Sequence, residues 1–430
     1  MSRPVIGILA WRVGLKFKES NYLKQLLKEG QDLGALVYLF SADDVNRDRK
    51  SIYGYVQGRS KKLERHLFPW PDVVIDRCRR GDPAYRKVRN SKLFIYANNR
   101  YTNKWRATKL FMQTDALQKW MPETMKYNVS NLREMIGKYR ILYVKPGNGT
   151  GGRSIVKISR TDKGFLIQAR SRNLSKKTIE ARRVVTLCHW LNTWVDQQRI
   201  RKGIFMIQQG LDLQIIPKHV ADTRLLIQKD DQGQWTVTGM GIRVGPRNSS
   251  TSNLHGGGKA VSFEALITEK FGAEKVQAIR DECFELAFQV VRTIEEHFGN
   301  MMEFGLDIGV DVTGRVWLIE VNPKPGRDIF KGLGKMNLYR ESCRRPLEYA
   351  IFLAKRGNEV ITIGEPTPAV LEESSNDLHL NDFRTEEIPV EPEDHGIILT
   401  EALEPEQLQS EQLQSELSPS DEQLIDIQPI

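Results

Sequence analysis

The 430-residue chain is 40% hydrophobic and carries 64 Lys and Arg against 54 Asp and Glu, a net charge of +10; at ~150 residues per domain it accommodates roughly three domains, which excludes a small scaffold held together by disulfides or zinc. Its four cysteines, Cys78, Cys188, Cys283 and Cys343, stand at least 60 residues apart without a CxxC pair, a usage that points to reduced thiols and a cytoplasmic location. No stretch approaches the ~18 uncharged apolar residues of a membrane-spanning helix, so no membrane partner is expected.

Residues 5–11 (VIGILAW) read as a first strand, and 20–34 as an amphipathic helix with Ser20 at its N-cap and Gly34 at its stop. ALVYLFS (35–41) reads as a second strand. A polar loop then leads to PWPDVVIDR (69–77), a third strand, so the opening ~100 residues resemble an open β/α layer. KWRATKLFMQTDAL (104–117) is predicted helical and is closed at Pro122. From Ile141 the texture changes to paired strands: RILYVKP, a glycine loop, SIVKISR and FLIQAR. Residues 176–202 read as helix and 205–216 as strand. RLLIQKD, QWTVTGMGIRV and RVWLIEV supply further strands, and 268–298 reads as one long amphipathic helix. Near residue 360 the composition shifts. Residues 365–430 hold 18 Asp and Glu against one Arg, a charge of −17 that leaves +27 on the other 364 residues, and EQLQS occurs at 406–410 and again at 411–415. Such a segment reads as a disordered acidic tail.

The basic body is compatible with nucleic acid, polyphosphate or small anionic substrates. Its Lys and Arg are scattered over many segments and form no single basic helix, which argues against nucleic acid.

Gly147 to Ser154 (GNGTGGRS) satisfies both the GxGxxG and the Walker A spacing, with Arg153 in place of the lysine. Both motifs require a helix to begin at the loop, so that its amides hold phosphate. The β-branched, alternating SIVKISR that follows is a strand instead, which excludes both readings. A glycine-rich hairpin tip can still lay backbone N–H groups over phosphates. Lys145 would project beside any phosphate held there.

In FGLDIGVDVTGRVWLIEVNPKPG, a two-residue turn at Thr313 and Gly314 would set Asp307 opposite Glu320, with Asn322 on the same face. Two carboxylates and an amide oxygen are hard ligands suited to Mg²⁺. Like charges placed opposite one another are unfavourable without a cation, so neutralising either acid should leave the unliganded fold at least as stable. Arg224 and Arg243 lie on predicted strands ahead of SNLHGGG (252–258), and arginine forks suit phosphoryl oxygens. His255 has no evident base or nucleophile partner.

Taken in order, Lys104, the VKP of Lys145 with its glycine hairpin, the IQQ strand at Ile207 to Gln209, the Arg/SN/GG segment, and Asp307, Glu320 and Asn322 resemble the ATP-grasp superfamily. The DxRxxxQ…W…G…R…SNLHGGG run most resembles its YheC/YheD group, described as endospore coat-associated proteins of spore-forming bacteria. The similarity covers roughly residues 3–360 and leaves the acidic tail outside it. The resemblance implies an α/β (α+β) ATP-grasp fold. An N-terminal β/α domain (1–100) would precede a two-lobed ATP-grasp domain (101–360), with the tail over 361–430. It implies ATP between the lobes, Lys104 and Lys145 on phosphates, and the hairpin residues Gly149, Gly151, Gly152 and Ser154 over them. Gln208, Gln209, Gly210 and Leu211 would face adenine, a position where many ATP-grasp enzymes carry Glu. Arg224 and Asn253 would contact nucleotide, Arg243 the transferred phosphoryl group, and Asp307, Glu320 and Asn322 two Mg²⁺ ions. The activity so implied is an ATP-dependent carboxylate–amine or carboxylate–thiol ligase acting through an acyl phosphate. The alternative is a nucleotide-binding coat or assembly protein with little turnover, whose acidic tail would meet spore coat proteins.

Overall fold

In the computed structural model of the protein, which describes residues 3–60, 62–148, 153–200, 204–247, 252, 254 and 257–356, the chain opens with Val5–Leu9 (β1), buried at nearly every position. A short ribbon of Arg12–Val13 (β2) and Lys16–Phe17 (β3) leads into Ser20–Asp32 (α1) and Leu36–Phe40 (β4). Val45–Asn46 (β5), Ser51–Gln57 (β6), Leu63–Pro69 (β7), Val73–Asp76 (β8) and Pro83–Asn90 (α2) follow. These strands form a first sheet in the order β5-β6-β4-β1-β8, with β7 on β6, and β1 runs parallel to both neighbours. Continuous apolar runs in β1, β4 and β8 fit a layer covered on both faces. The stretch between residues 41 and 69, read from sequence as a polar loop, contains the β6–β7 hairpin. The residues of β7 are mostly exposed, so its composition carries no core signal.

Lys104–Gln113 (α3) and Asp115–Gln118 (α4) divide at Thr114 what reads as one helix. Thr124–Lys126 (β9), Val129–Lys138 (α5), Ile141–Pro146 (β10), Ile155–Thr161 (β11), Gly164–Arg170 (β12), Lys176–Ala181 (β13), Val184–Gln197 (α6) and Phe205–Gln209 (β14) make a second, antiparallel sheet in the order β13-β12-β11-β10-β14-β9. Burial alternates residue by residue along β10, β11 and β12. Leu142, Val144, Val156, Ile158 and Ile167 share a core with Leu132 of α5 and Leu187 of α6, and Tyr143, Lys145 and Lys157 take the opposite face. Residues 176–181 are strand where the sequence suggests helix. Pairing along β12 and packing of Ile179 on the core override the helix preference of Lys, Glu and Ala.

Ala221–Lys229 (β15), Trp235–Val244 (β16), Lys259–Val261 (β17), Phe263–Phe271 (α7), Ala273–Phe298 (α8), Glu303–Val310 (β18) and Val316–Asn322 (β19) build a third sheet, also antiparallel, in the order β17-β16-β15-β18-β19. Gly272, at φ +86°, separates α7 from α8, so the long helix predicted over 268–298 is two. Asp328–Gly332 (α9) and Met336–Lys355 (α10) complete the described chain. Leu347 and Ala350 of α10 pack with Ile6, Ile8 and Val73, covering one face of the first sheet. Among the described residues no helix is long and apolar enough to cross a membrane.

Candidate active site

The third sheet assembles its charges by register. Arg224 of β15 stands opposite Asp307 of β18, Asp307 opposite Glu320 of β19, and Asp222 of β15 opposite Arg243 of β16. Arg224 Nε donates to Asp307 Oδ1 at 2.7 Å, and Arg243 Nη2 lies 3.1 Å from Asp307 Oδ2. Arg243 also grips Asp222 with both Nε and Nη2, at 2.6 and 2.7 Å, and Ser252 donates to the same carboxylate at 2.6 Å. Burial works against the Asp307 carboxylate, but Arg224 and Arg243 outweigh it and hold the group at about 2. Burial likewise opposes the Arg243 charge, and Asp307 and Asp222 raise it above its ordinary value.

Asp307 does face Glu320, though by another route than a two-residue turn. Asp311 N–H donates to Arg315 O, and the tip is a three-residue loop with Gly314 at φ +91°. A bulge between Asp307 and Ile308 then restores the offset. The pair is also not left to repel. Glu320 Oε1 sits 2.9 Å from Lys104 Nζ, so three organic cations attend the two acids. That removes the reason for expecting a more stable fold on neutralisation. Asn322 Nδ2 reaches Asp307 Oδ2 at 3.4 Å. Gly305 makes room there, because a Cβ would come within 2.7 Å of Pro325.

Asp307, Glu320 and Asn322 offer two carboxylates and an amide oxygen, a donor set that fits Mg²⁺. Among the described residues no three His, Cys, Asp or Glu gather as a metal group, so any ion here would depend on the Asn322 amide or on ligand oxygens.

Two lysines approach this cluster, one from the start of α3 and one from β10 of the second sheet. Lys104 opens α3, whose N-cap Asn103 accepts from Arg106 N–H at 3.0 Å. Trp105 N–H donates to Gly147 O, and Gly147 N–H to Ile204 O, tying that helix start to the glycine loop. A Cβ on Gly147 would lie 2.7 Å from that of Trp105. Lys145 donates to Gln208 Oε1 at 2.7 Å, and Gln208 Nε2 to Thr124 Oγ1 at 2.9 Å. Burial lowers the Lys145 ammonium to about 8; Glu320 and Asp307 oppose the fall and Lys104 adds to it.

The structure therefore brings Lys104, Arg224, Arg243, Asp307, Glu320 and Asn322 into one linked cluster, with Lys145 within its field. Ser154 is turned away from it, its buried hydroxyl donating to Gln198 at 3.0 Å. The Gln208 side chain is engaged by Lys145 and Thr124. Gln209 N–H goes to Glu123 O and Gly210 N–H to Ile141 O, so these amides are spent within the protein. Leu211 follows in the loop leading to β15, its carbonyl accepting from Leu213 N–H. Gly149, Gly151, Gly152, Asn253 and His255 lie outside the described residues. A strand, β11, follows the glycine loop, as the rejection of the Rossmann and Walker motifs requires.

Beside the cluster is a cavity of about 660 Å³. The start of α1, the segment after β8, Arg224 and Arg243, and residues 322–331 form its walls. Sequence reading missed Asp222, Arg79 and Lys324. The i, i+2 spacing of Asp222 and Arg224, which puts both on one strand face, was the available signal for the first. Lys324 reaches Asp76 Oδ1 at 2.9 Å across 248 residues, which no local pattern reveals.

The sequence profile described as YheC/D like ATP-grasp matches residues 94–353. Endospore coat-associated protein YheD of Bacillus subtilis (strain 168) is 27% identical over 373 residues, covering 82% of this chain and 79% of that protein. YheC of the same organism is 23% identical over 329 residues, covering 72% and 86%. Among solved structures, D-alanyl-alanine synthetase A from Vibrio cholerae aligns with 83% of this chain and 98% of its own, at 12% identity and a TM-score of 0.49. The profile spans more than half of the sequence, including the described members of the charged cluster, and the chain accordingly belongs to the YheC/D-like ATP-grasp family.

Proposed function

We propose that the protein is a Mg²⁺- and ATP-dependent ligase that activates a carboxylate as an acyl phosphate and passes the acyl group to an amine or thiol. One observation carries this reading: Arg224, Arg243 and Asn322 belong both to the cluster around Asp307 and to the wall of the cavity. An acceptor carboxylate in that cavity meets two arginine forks beside metal-type acids.

Lys104 and Lys145 bind phosphate oxygens in this reading, and Arg243 receives the transferred group. Asp307, Glu320 and Asn322 would hold Mg²⁺, which neutralises charge on the triphosphate when bound. A carboxylate oxygen attacks the γ-phosphorus in line; the new O–P bond forms as the β,γ-bridging bond breaks, and ADP leaves with the electron pair. The amine or thiol then attacks the acyl carbon, and inorganic phosphate departs. The chain supplies positioning and charge, and no covalent nucleophile is required of it. The names of the B. subtilis relatives favour an association with the spore coat, in which the acidic tail would be the segment that meets coat proteins.

The test is ADP release with pooled amino acids, peptides and cell-wall precursors, with and without Mg²⁺. Release that needs both the ion and an acceptor supports ligation. A Mg·ATP-induced rise in melting temperature without turnover would favour a binding protein, and no rise would reject the nucleotide site.

A further inference from the structure

The cavity is unevenly charged. On its sheet side Arg224 and Arg243 face Asp222 and Asp307, two cations against two anions. The segments after β8 and β19 add Arg77, Arg79, Lys324, Arg327 and Lys331 to the wall. Glu19, Asp76, Glu303 and Asp328 are the acids set among or behind them. Glu19 serves both Arg77 and Arg79, Glu303 serves both Arg77 and Arg327, and Asp76 is shared with Arg89. Positive charge is therefore left over on this part of the wall, on residues other than the arginines that meet the reacting group.

Two further features point the same way. Ser20, Asn21 and Tyr22 border the cavity, and α1 begins there without a side-chain cap or an acid in its first turn. The Glu19 carboxylate, which could have served that end, is turned to Arg77 and Arg79. The first N–H groups of a 13-residue helix thus stand at the cavity with their partial positive charge. Arg77, only 3% exposed, keeps a buried Nε with no hydrogen-bond partner. The Lys331 ammonium lies over the Tyr339 ring, 4.2 Å from its centroid.

We infer that the acceptor has two anionic groups: besides the carboxylate that reacts at Arg224 and Arg243, it carries a second one, carboxylate or phosphate, that docks on the wall formed by Arg79, Lys331 and the start of α1. This rests on the ligase reading above and narrows its substrate class. The volume of about 660 Å³ falls in the range of small-molecule sites. A monoanion seated at Arg224 and Arg243 leaves that surplus unanswered; a second anion at Arg79 and Lys331 makes charge-assisted hydrogen bonds that a neutral group does not.

The test compares matched probes at constant ionic strength: glutarate against valerate, and 3-phosphoglycerate against glycerate. Binding is read by thermal shift and by titration calorimetry. Glutarate and 3-phosphoglycerate should each bind at least about tenfold tighter than the monoanionic partner, and the preference should vanish in the double variant Arg79→Gln, Lys331→Gln. The Arg79 side chain is 55% exposed, so the variant should fold, and a preserved Mg·ATP shift verifies that it has. The stronger of the two preferences identifies the second group as carboxylate or phosphate. Equal affinity for the two members of each pair, or a preference that survives in the double variant, would overturn the inference. A wild-type protein that shows the preference yet shows no Mg·ATP shift would count against the ligase reading instead, so the two failures are told apart.

Discussion

Lys145 and Arg243 are cations withdrawn from water near the same cluster, on different sheets, and they are held in opposite ways. Arg243 is clamped between Asp222 and Asp307, which raise its charge stability above the ordinary value against the pull of burial. Lys145 has a neutral amide, Gln208, as its hydrogen-bond partner, and burial lowers it to about 8. A cation bracketed by carboxylates is already compensated, so any ligand that reaches Arg243 shares it with Asp222 and Asp307. One held by an amide has an open demand for negative charge, which a phosphate can meet. The charges of the third sheet are thus balanced before a ligand arrives, whereas the Lys145 ammonium on the second is left for a ligand to balance.

The largest expected effect breaks the third-sheet side of this contrast. Asp307→Asn strips Arg224 and Arg243 of their shared carboxylate and should cost about 3–5 kcal/mol of stability in the unliganded protein. Glu320→Gln removes only the partner of Lys104, in a pair whose side chains are 29% and 26% exposed, and should cost less than about 1 kcal/mol. Both should lose the Mg·ATP shift. Unliganded melting curves of the two variants decide the matter, and equal small losses would show that the arginines do not depend on Asp307. Because Asp307 is held at about 2, its contribution is complete above its ordinary value of 3.8 and is lost as pH falls through about 2.

On the second sheet the order of effects reverses. Lys145→Met should abolish most of the Mg·ATP shift while leaving unliganded stability at neutral pH within about 1 kcal/mol of wild type, since a withdrawn charge is removed along with one hydrogen bond. Destabilisation as severe as that of Asp307→Asn would erase the distinction between the sheets.

A pH experiment is subtler. Between about 8 and 10.5 the unfolded chain holds a proton on Lys145 that the folded protein lacks, so stability should rise with pH across that window, and Lys145→Met should flatten the rise. Binding of Mg·ATP near pH 8 should take up a proton, seen calorimetrically as a buffer-dependent enthalpy. The finest test converts one sheet into the other. Gln208→Glu gives Lys145 a carboxylate, and should raise its pKa and remove the proton uptake. Uptake that persists in that variant would assign the proton to another group.

Residues that meet across short, alternating strands were legible in the sequence. The Asp307–Glu320 pairing follows from strand periodicity, although the tip is a three-residue loop whose extra residue the bulge absorbs. Arg224 and Arg243 were legible as arginines on strands; that carboxylates hold them was not, because Asp222 meets Arg243 only through pairing of β15 with β16. The segment Lys176–Ala181 carries helix-forming residues and was lost to β12 pairing, a tertiary decision. Met336–Lys355 went unread as a helix, and its buried face is defined by the first sheet. Lys324 found its partner Asp76 at a sequence distance no window spans.

The placement of α10 has a consequence for how the chain is made. One apolar face of the first sheet is covered by residues 347–353, and the cavity takes walls from residues 19–22, 77–79 and 322–339. During synthesis from the N-terminus, the opening sheet emerges some 250 residues before its cover and before the far half of the cavity. Those contacts close very long loops, the slow class of folding event, and α1 with its parallel strands must wait with a bare face until they form. The binding cavity and the last layer of the fold are both completed late, so a nascent chain halted before Asn322 would display a sticky sheet and no acceptor site.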